Sequence, residues 1–216
     1  MIIDILEIQE AAKIIHGGGV VAFPTETYYG LGVDPFNPEA LAKLFTIKQR
    51  PIEKPVLTLI SNSEQLSLLT SKIPSLFLPL CDLWPAPLTL VFEALPSLPS
   101  LLTGDTGTVA VRISPNSLAT ALVDACRHPV TATSANISGK PPALCPDDVR
   151  LYFGDAVDYV IEGGEAMGGM PSTVIGIRND ELTVIRDGVI SLQEIMNAVE
   201  RFQHADSNSD NFLRKK

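Results

Sequence analysis

The apolar runs of this chain are short, and they break off into polar clusters at irregular intervals. Val20 to Phe23, Val56 to Ile60, Leu88 to Phe92, Thr108 to Ile113 and Val130 to Thr133 are each four to six residues long. Runs of that length, bounded by turn residues, read as buried strands. Val157 to Ile161, Ser172 to Ile177 and Leu182 to Ile185 read the same way, and Arg178-Asn179-Asp180-Glu181 between the last two marks a hairpin. Segments with helical spacing lie between the strands: Ile8 to His16, Pro38 to Lys48, Ser63 to Leu69, Ile73 to Leu83, Ser117 to Cys126, Pro146 to Phe153 and Ser191 to Phe202. Several carry start and stop signals, such as Gly17-Gly18-Gly19 after the first and Pro-Asp-Asp at the head of the sixth. Strands that alternate irregularly with helices and include a hairpin predict a single α/β domain with a mixed sheet, not a strictly parallel doubly wound one. The domain is expected over residues 1–202, with 203–216 as a polar tail that frays into solvent.

Four polar clusters follow these apolar elements. Thr25-Glu26-Thr27 follows Phe23, Lys48-Gln49-Arg50-Pro51 ends a helix, Ser134 to Gly139 follows a strand, and Gly163 to Thr173 lies between two strands. Ligands of open α/β sheets bind where strands end and loops begin. Each cluster also has a plainer reading. Thr25 can cap a turn, Gly30 and Gly32 can serve backbone geometry, Lys48 and Arg50 can sit on a helix dipole, and Arg112 can be a solvated strand end.

The motif inventory removes several chemistries. There is no GxxxxGK[ST] loop, no strand–GxGxxG–helix, no HExxH, no nucleophile elbow and no Cys–His pair. Cys81, Cys126 and Cys145 are odd in number and far apart, so reduced buried thiols are expected rather than disulfides or zinc. The acidic start, Met-Ile-Ile-Asp-Ile-Leu-Glu, lacks the basic region of a signal peptide, and no apolar run approaches ~20 residues. A cytoplasmic protein without a membrane span is expected. The net charge of -9 argues against long-range attraction to nucleic acid. What remains is cationic and hydroxyl-rich: Lys48, Arg50, Arg112 and Arg186 with Thr25, Ser134, Asn136 and Ser172. Such a set suits a polyanion and chemistry by positioning and charge stabilisation, as in phosphoryl or nucleotidyl transfer.

The stretches "GGGVVAFPTETYYGLGVDP", "LFTIKQRP", "WPAPLTLVF", "VAVRIS", "TATSANISGKPP" and "GGMPSTVI", followed by "LTVIRDGVI", occur in this order. Together they resemble the YrdC-like family of L-threonylcarbamoyladenylate synthases, single-domain type, over roughly residues 8–200. The resemblance implies a twisted mixed sheet flanked by helices around a deep, positively charged cleft. It implies a reaction joining L-threonine, bicarbonate and ATP, with Mg2+, into threonylcarbamoyl-AMP and pyrophosphate. A separate transferase complex would pass the group to ANN-decoding tRNAs. By resemblance Lys48 and Arg50 hold the ATP phosphates and the reacting carboxylate, and are the catalytic pair. Ser134, Asn136, Arg186 and Thr108 contact ATP, and Thr25, Arg112 and Ser172 surround threonine. The chain departs from the family pattern at Ala86, where glycine is usual, at Pro171, where glutamate is frequent, and at Asp187, where proline is frequent. Two other readings of the same fold stand beside the synthase. One is a non-catalytic RNA-binding or ribosome-associated module, and weak RNA contact is a further expectation. The other is a carbamoyl-transfer relative.

Overall fold

The structure is a computed structural model that describes residues 4–213. In chain order the elements are α1 (Ile5–His16), β1 (Val21–Pro24), β2 (Tyr29–Gly32), α2 (Pro38–Lys48), β3 (Leu57–Leu59), α3 (Leu78–Cys81), β4 (Leu88–Glu93), α4 (Ser100–Thr103), β5 (Thr108–Arg112), α5 (Ser117–Cys126), β6 (Val130–Thr131), β7 (Thr133–Ser134), α6 (Pro146–Phe153), β8 (Tyr159–Val160), β9 (Thr173–Arg178), β10 (Glu181–Arg186) and α7 (Leu192–Leu213). The expected helix over Ser63 to Leu69 is a 3-10 helix at Ser63–Leu68, and that over Ile73 to Leu83 is a 3-10 turn at Ser75–Phe77 followed by α3.

The helices begin where polar caps stand. Asn37 Oδ1 accepts from Glu39 N at 3.0 Å and Ala40 N at 3.2 Å, with Pro38 at the first helical position of α2. Asn116 Oδ1 does the same for α5, accepting from Leu118 N at 3.0 Å and Ala119 N at 3.2 Å. Helix α7 runs past the expected end at Phe202. The side chains of the expected tail, 203–216, and the backbone of 214–216 lie outside the described residues.

The expectation of one mixed sheet is corrected to two. A four-stranded sheet runs β7-β2-β1-β8, and a six-stranded sheet runs β10-β9-β4-β5-β3-β6. Each is mixed: β1 is antiparallel to β2 and parallel to β8, while β5 is antiparallel to β4 and parallel to β3. The run Val130 to Thr133, which reads as one strand, is divided between them. Val130 and Thr131 pair with β3 of the larger sheet, and Thr133 and Ser134 pair with β2 of the smaller. Ala132 is the crossover, its N–H donating to the Leu57 carbonyl at 2.8 Å. The hairpin at Asn179-Asp180 is as expected: both residues have positive φ (52° and 60°), the conformation of a tight two-residue turn between β9 and β10.

Two apolar cores hold the sheets. One packs α1 and α5 onto β1 through Ile8, Ile15, Phe23, Leu118 and Leu122. The other fills the space below the two sheets with Tyr29, Leu31, Leu44, Phe77, Leu90 and Phe92. Each such side chain, when fully buried, contributes about 1.5–3 kcal/mol. The cleft opens where the sheets diverge at Ala132.

Candidate active site

The segment Thr25 to Tyr28, between β1 and β2, is a hairpin turn. Thr25 N donates to the Tyr28 carbonyl at 3.0 Å, and Thr25 Oγ1 donates to the same carbonyl at 2.7 Å. Thr25 thus caps a turn, as the plain reading has it, and it also faces a cleft. Thr25, Thr27, Tyr28, Tyr29 and Gly30 all line a cleft of about 480 Å3. Tyr29 to Gly32, for which no strand is expected from the sequence, is a buried strand. Gly32 is required there, because a Cβ would come 2.7 Å from the Phe23 ring.

The opposite wall comes from the larger sheet. Arg112 ends β5, with its side chain 5% exposed, and Arg186 ends β10. Arg186 donates to the Ser172 carbonyl from Nε at 3.1 Å and from Nη2 at 2.8 Å, and Nη2 reaches Ser172 Oγ at 3.0 Å. Ser172 Oγ in turn lies 3.0 Å from Thr89 Oγ1. Arg50 completes a group of three guanidinium groups on the cleft, held by the carbonyls of Lys54 (3.2 Å) and Pro55 (2.7 Å). Burial lowers the pKa of all three, and Arg186 lowers that of Arg112 further while Glu26 offsets it. Arginine stays charged through shifts of this kind.

Six of the sequence-expected residues thus meet at one cleft: Thr25, Arg50, Arg112, Ser134, Ser172 and Arg186. Lys48, Asn136 and Thr108 do not line it. Lys48 is 1% exposed and lies beneath the Ser134–Lys140 loop. Its Nζ donates to the Ser134 carbonyl, to the Asn136 carbonyl at 2.8 Å and to Asn136 Oδ1 at 3.2 Å. The cause is local. Lys48 falls on the buried face of α2 with Leu41, Leu44 and Phe45, and Gln49 then ends the helix in the left-handed conformation (φ 50°) before Arg50. Burial, then Arg50, pushes the Lys48 pKa down to about 7, whereas its carbonyl partners favour the charged form. Asn136 is committed to its own loop: Oδ1 accepts from Ser134 Oγ at 2.7 Å and Nδ2 donates to the Lys140 carbonyl at 2.6 Å. Thr108 opens β5, at the opposite end of the strand from Arg112, and its hydroxyl meets Thr106 Oγ1 at 2.7 Å.

Residues 13–188 match the Sua5_yciO_yrdC family, described as telomere recombination. The chain belongs to this family. Among relatives, a threonylcarbamoyl-AMP synthase of Pyrococcus abyssi is 38% identical over 190 residues, 88% of this chain and 56% of that protein. A threonylcarbamoyl-AMP synthase of Coxiella burnetii is 40% identical over 157 residues, 72% of this chain and 84% of that protein. The chain spans little more than half of the archaeal relative and most of the bacterial one. The crystal structure of P. abyssi Sua5 complexed with L-threonine superposes with a TM-score of 0.88 at 37% identity, covering 92% of this chain and 58% of that one. The mixed α/β architecture is therefore that of the Sua5/YciO/YrdC fold.

One residue of the site escaped sequence reasoning. Glu26 stands 2.9 Å from Arg112 Nη1 through Oε1 and accepts from Ser114 Oγ at 2.5 Å through Oε2. Its signal was present: a carboxylate directly after a buried strand, 12% exposed here, needs a partner. Nothing in the sequence says which partner. Among the described residues no group of three or more His, Cys, Asp or Glu is placed to hold a metal, and no helix is long and apolar enough to cross a membrane. The three cysteines are free, with Cys126 buried and the other two half-buried.

Proposed function

We propose that the cleft joins L-threonine, bicarbonate and ATP into threonylcarbamoyl-AMP, releasing pyrophosphate. The observation that carries this reading is the superposition on a Sua5 complexed with L-threonine, across nine-tenths of the chain. The cleft chemistry supports it. Threonine amine and bicarbonate condense to a carbamate with loss of water, and the carbamate oxygen then attacks the α-phosphorus of ATP, expelling pyrophosphate. A dianion must approach a polyanion. At an effective dielectric constant of ~20, two like charges ~4 Å apart repel by about 4 kcal/mol. Arg50, Arg112 and Arg186 on one cleft offset that repulsion before the reactants arrive.

In this reading Arg112, Thr25 and Ser172 face threonine, and Arg50, Arg186 and Ser134 face the nucleotide. Lys48 and Asn136 serve the nucleotide from beneath, by fixing the loop that presents Ser134. Thr108 reaches ATP only if the nucleotide extends along β5. Magnesium fits as a companion of the ATP phosphates, where it shields their charge. The carboxylate of Glu26, which pairs with a cleft arginine, is already committed to Arg112 and Ser114. The adenylate would be consumed in the cytoplasm by a separate transferase acting on tRNA.

Pyrophosphate release is the test. It should require threonine, bicarbonate and Mg-ATP together, and omission of any one should abolish it. Release that is indifferent to threonine would sink the reading.

A further inference from the structure

Arg112 and Glu26 form the buried ion pair of the cleft, at 2.9 Å, with side-chain exposures of 5% and 12%. The pair links the two sheets, since Glu26 lies on the β1–β2 turn and Arg112 ends β5. A third group sets its geometry. Ser114 Oγ donates to Glu26 Oε2 at 2.5 Å and accepts from Asn116 N at 3.1 Å, the residue that caps α5. The carboxylate is thus tied to the start of a helix, and the guanidinium to the carboxylate.

The pair is close but not aligned. Both Glu26 Oε1 and Arg112 Nε are buried with no hydrogen-bond partner among the described residues. A pair that served stability alone would satisfy these atoms, because a buried donor without an acceptor is destabilising. Arg112 itself lines the cleft, and a guanidinium held in place there matches an incoming oxygen anion. Arg186, held on Ser172, bears a like charge toward Arg112, and Glu26 supplies the counter-charge.

We infer that Glu26 is a positioning residue for substrate recognition: held by Ser114, it fixes the Arg112 guanidinium on the cleft, where it meets the carboxylate of the amino-acid substrate. This rests on the threonine reading above. Glu26 touches no substrate in this account and acts through Arg112 alone.

The test is a double-mutant cycle on threonine affinity, read by calorimetry, with Glu26→Gln, Arg112→Gln and the double variant. Glu26→Gln should weaken threonine binding about tenfold and raise the threonine KM in step, with ATP affinity and kcat within about twofold. In the Arg112→Gln background the same change should add less than about twofold. Wild-type affinity in Glu26→Gln, or its full loss repeated in the Arg112→Gln background, overturns the inference. Should Glu26→Gln fail to fold, Ser114→Ala loosens the same carboxylate and should weaken threonine by about threefold, and an unchanged affinity there overturns it equally. A second readout does not need threonine. The Arg112 Nε–H signal in 15N NMR should show hindered rotation about Nε–Cζ in the wild type and release in Glu26→Gln. If the wild type binds no threonine, the functional reading fails. The NMR comparison then decides the positioning by itself, and equal rotation in both proteins refutes it.

Discussion

Lys48 and Asn136, 88 positions apart, hold one wall of the cleft together: the lysine ammonium donates to both the carbonyl and the side-chain oxygen of the asparagine, at 2.8 and 3.2 Å. The carbonyl of Ser134 is its third acceptor. Lys48→Met keeps the buried stem and removes the donor. Leaving those oxygens unpaired should destabilise the fold by about 1–3 kcal/mol and lower kcat/KM for ATP at least about tenfold. Urea denaturation with steady-state pyrophosphate release checks both. A variant as active as the wild type would remove Lys48 from the ATP side of the site.

The same lysine should leave a mark on stability against pH. Its pKa falls from 10.5 to about 7 on folding, because burial and then Arg50 disfavour the charge. Between those values the unfolded chain holds the proton and the folded chain releases it, so stability rises with pH across the window. Below pH 7 both states are protonated and the contribution is flat at its minimum. The unfolding free energy of the wild type minus that of Lys48→Met, measured at pH 6, 8 and 9.5, should therefore climb. A level difference would place the folded pKa near its ordinary value.

Arg112→Gln should raise the threonine KM by about 10- to 100-fold and leave the ATP KM within about threefold, by loss of a charge-assisted contact. Arg112→Ala should also cost about 3–5 kcal/mol of stability, since Glu26 is left buried without its counter-charge. Steady-state kinetics with each substrate varied in turn checks the first claim. An ATP-only defect would put Arg112 on the wrong side of the cleft.

Two glycines of the hairpin should respond in opposite ways to alanine. At Gly32 a Cβ would meet the Phe23 ring at 2.7 Å and Val130 Cγ1 at 2.8 Å, so Gly32→Ala should destabilise by about 1–3 kcal/mol. At Gly30 the nearest atoms lie 3.5 Å or more away, in ordinary contact, and Gly30→Ala should stay within about 0.5 kcal/mol of the wild type. Urea denaturation of the two variants side by side is enough to decide.

Local signals carried the helices well. Asn37 and Asn116 cap the first N–H groups of α2 and α5, and α6 starts at Pro146 with two acids in its first turn and no side-chain cap. Strand partners were less legible. Tyr29 to Gly32 alternates two large residues with two glycines, which are poor strand formers, and is a strand because β1 lies beside it. Val130 to Ser134 has one apolar pattern but serves two sheets, and only long-range pairing divides it at Ala132. The cleft followed the same rule. Residue types on the sheet ends pointed to an anion site, and family resemblance to the positions. That Lys48 meets Asn136, and that Glu26 answers Arg112, depends on contacts made across 88 and 86 residues, and the turn from Lys48 to Arg50 passes through one backbone angle at Gln49.

That angle makes position 49 a filter on sequence. The residue between the lysine and the arginine contributes no side chain to the cleft, yet its left-handed backbone makes the turn from the buried lysine to the arginine on the cleft. Glycine, asparagine and aspartate adopt a left-handed backbone readily and belong to the permitted alphabet there, whereas valine, isoleucine and threonine do not. Deleting residue 49 would leave Lys48 on the buried face of the helix and put the arginine at the capping position, away from its present carbonyl partners. The spacing of the two cations is thus as much a part of the chemistry as their identity.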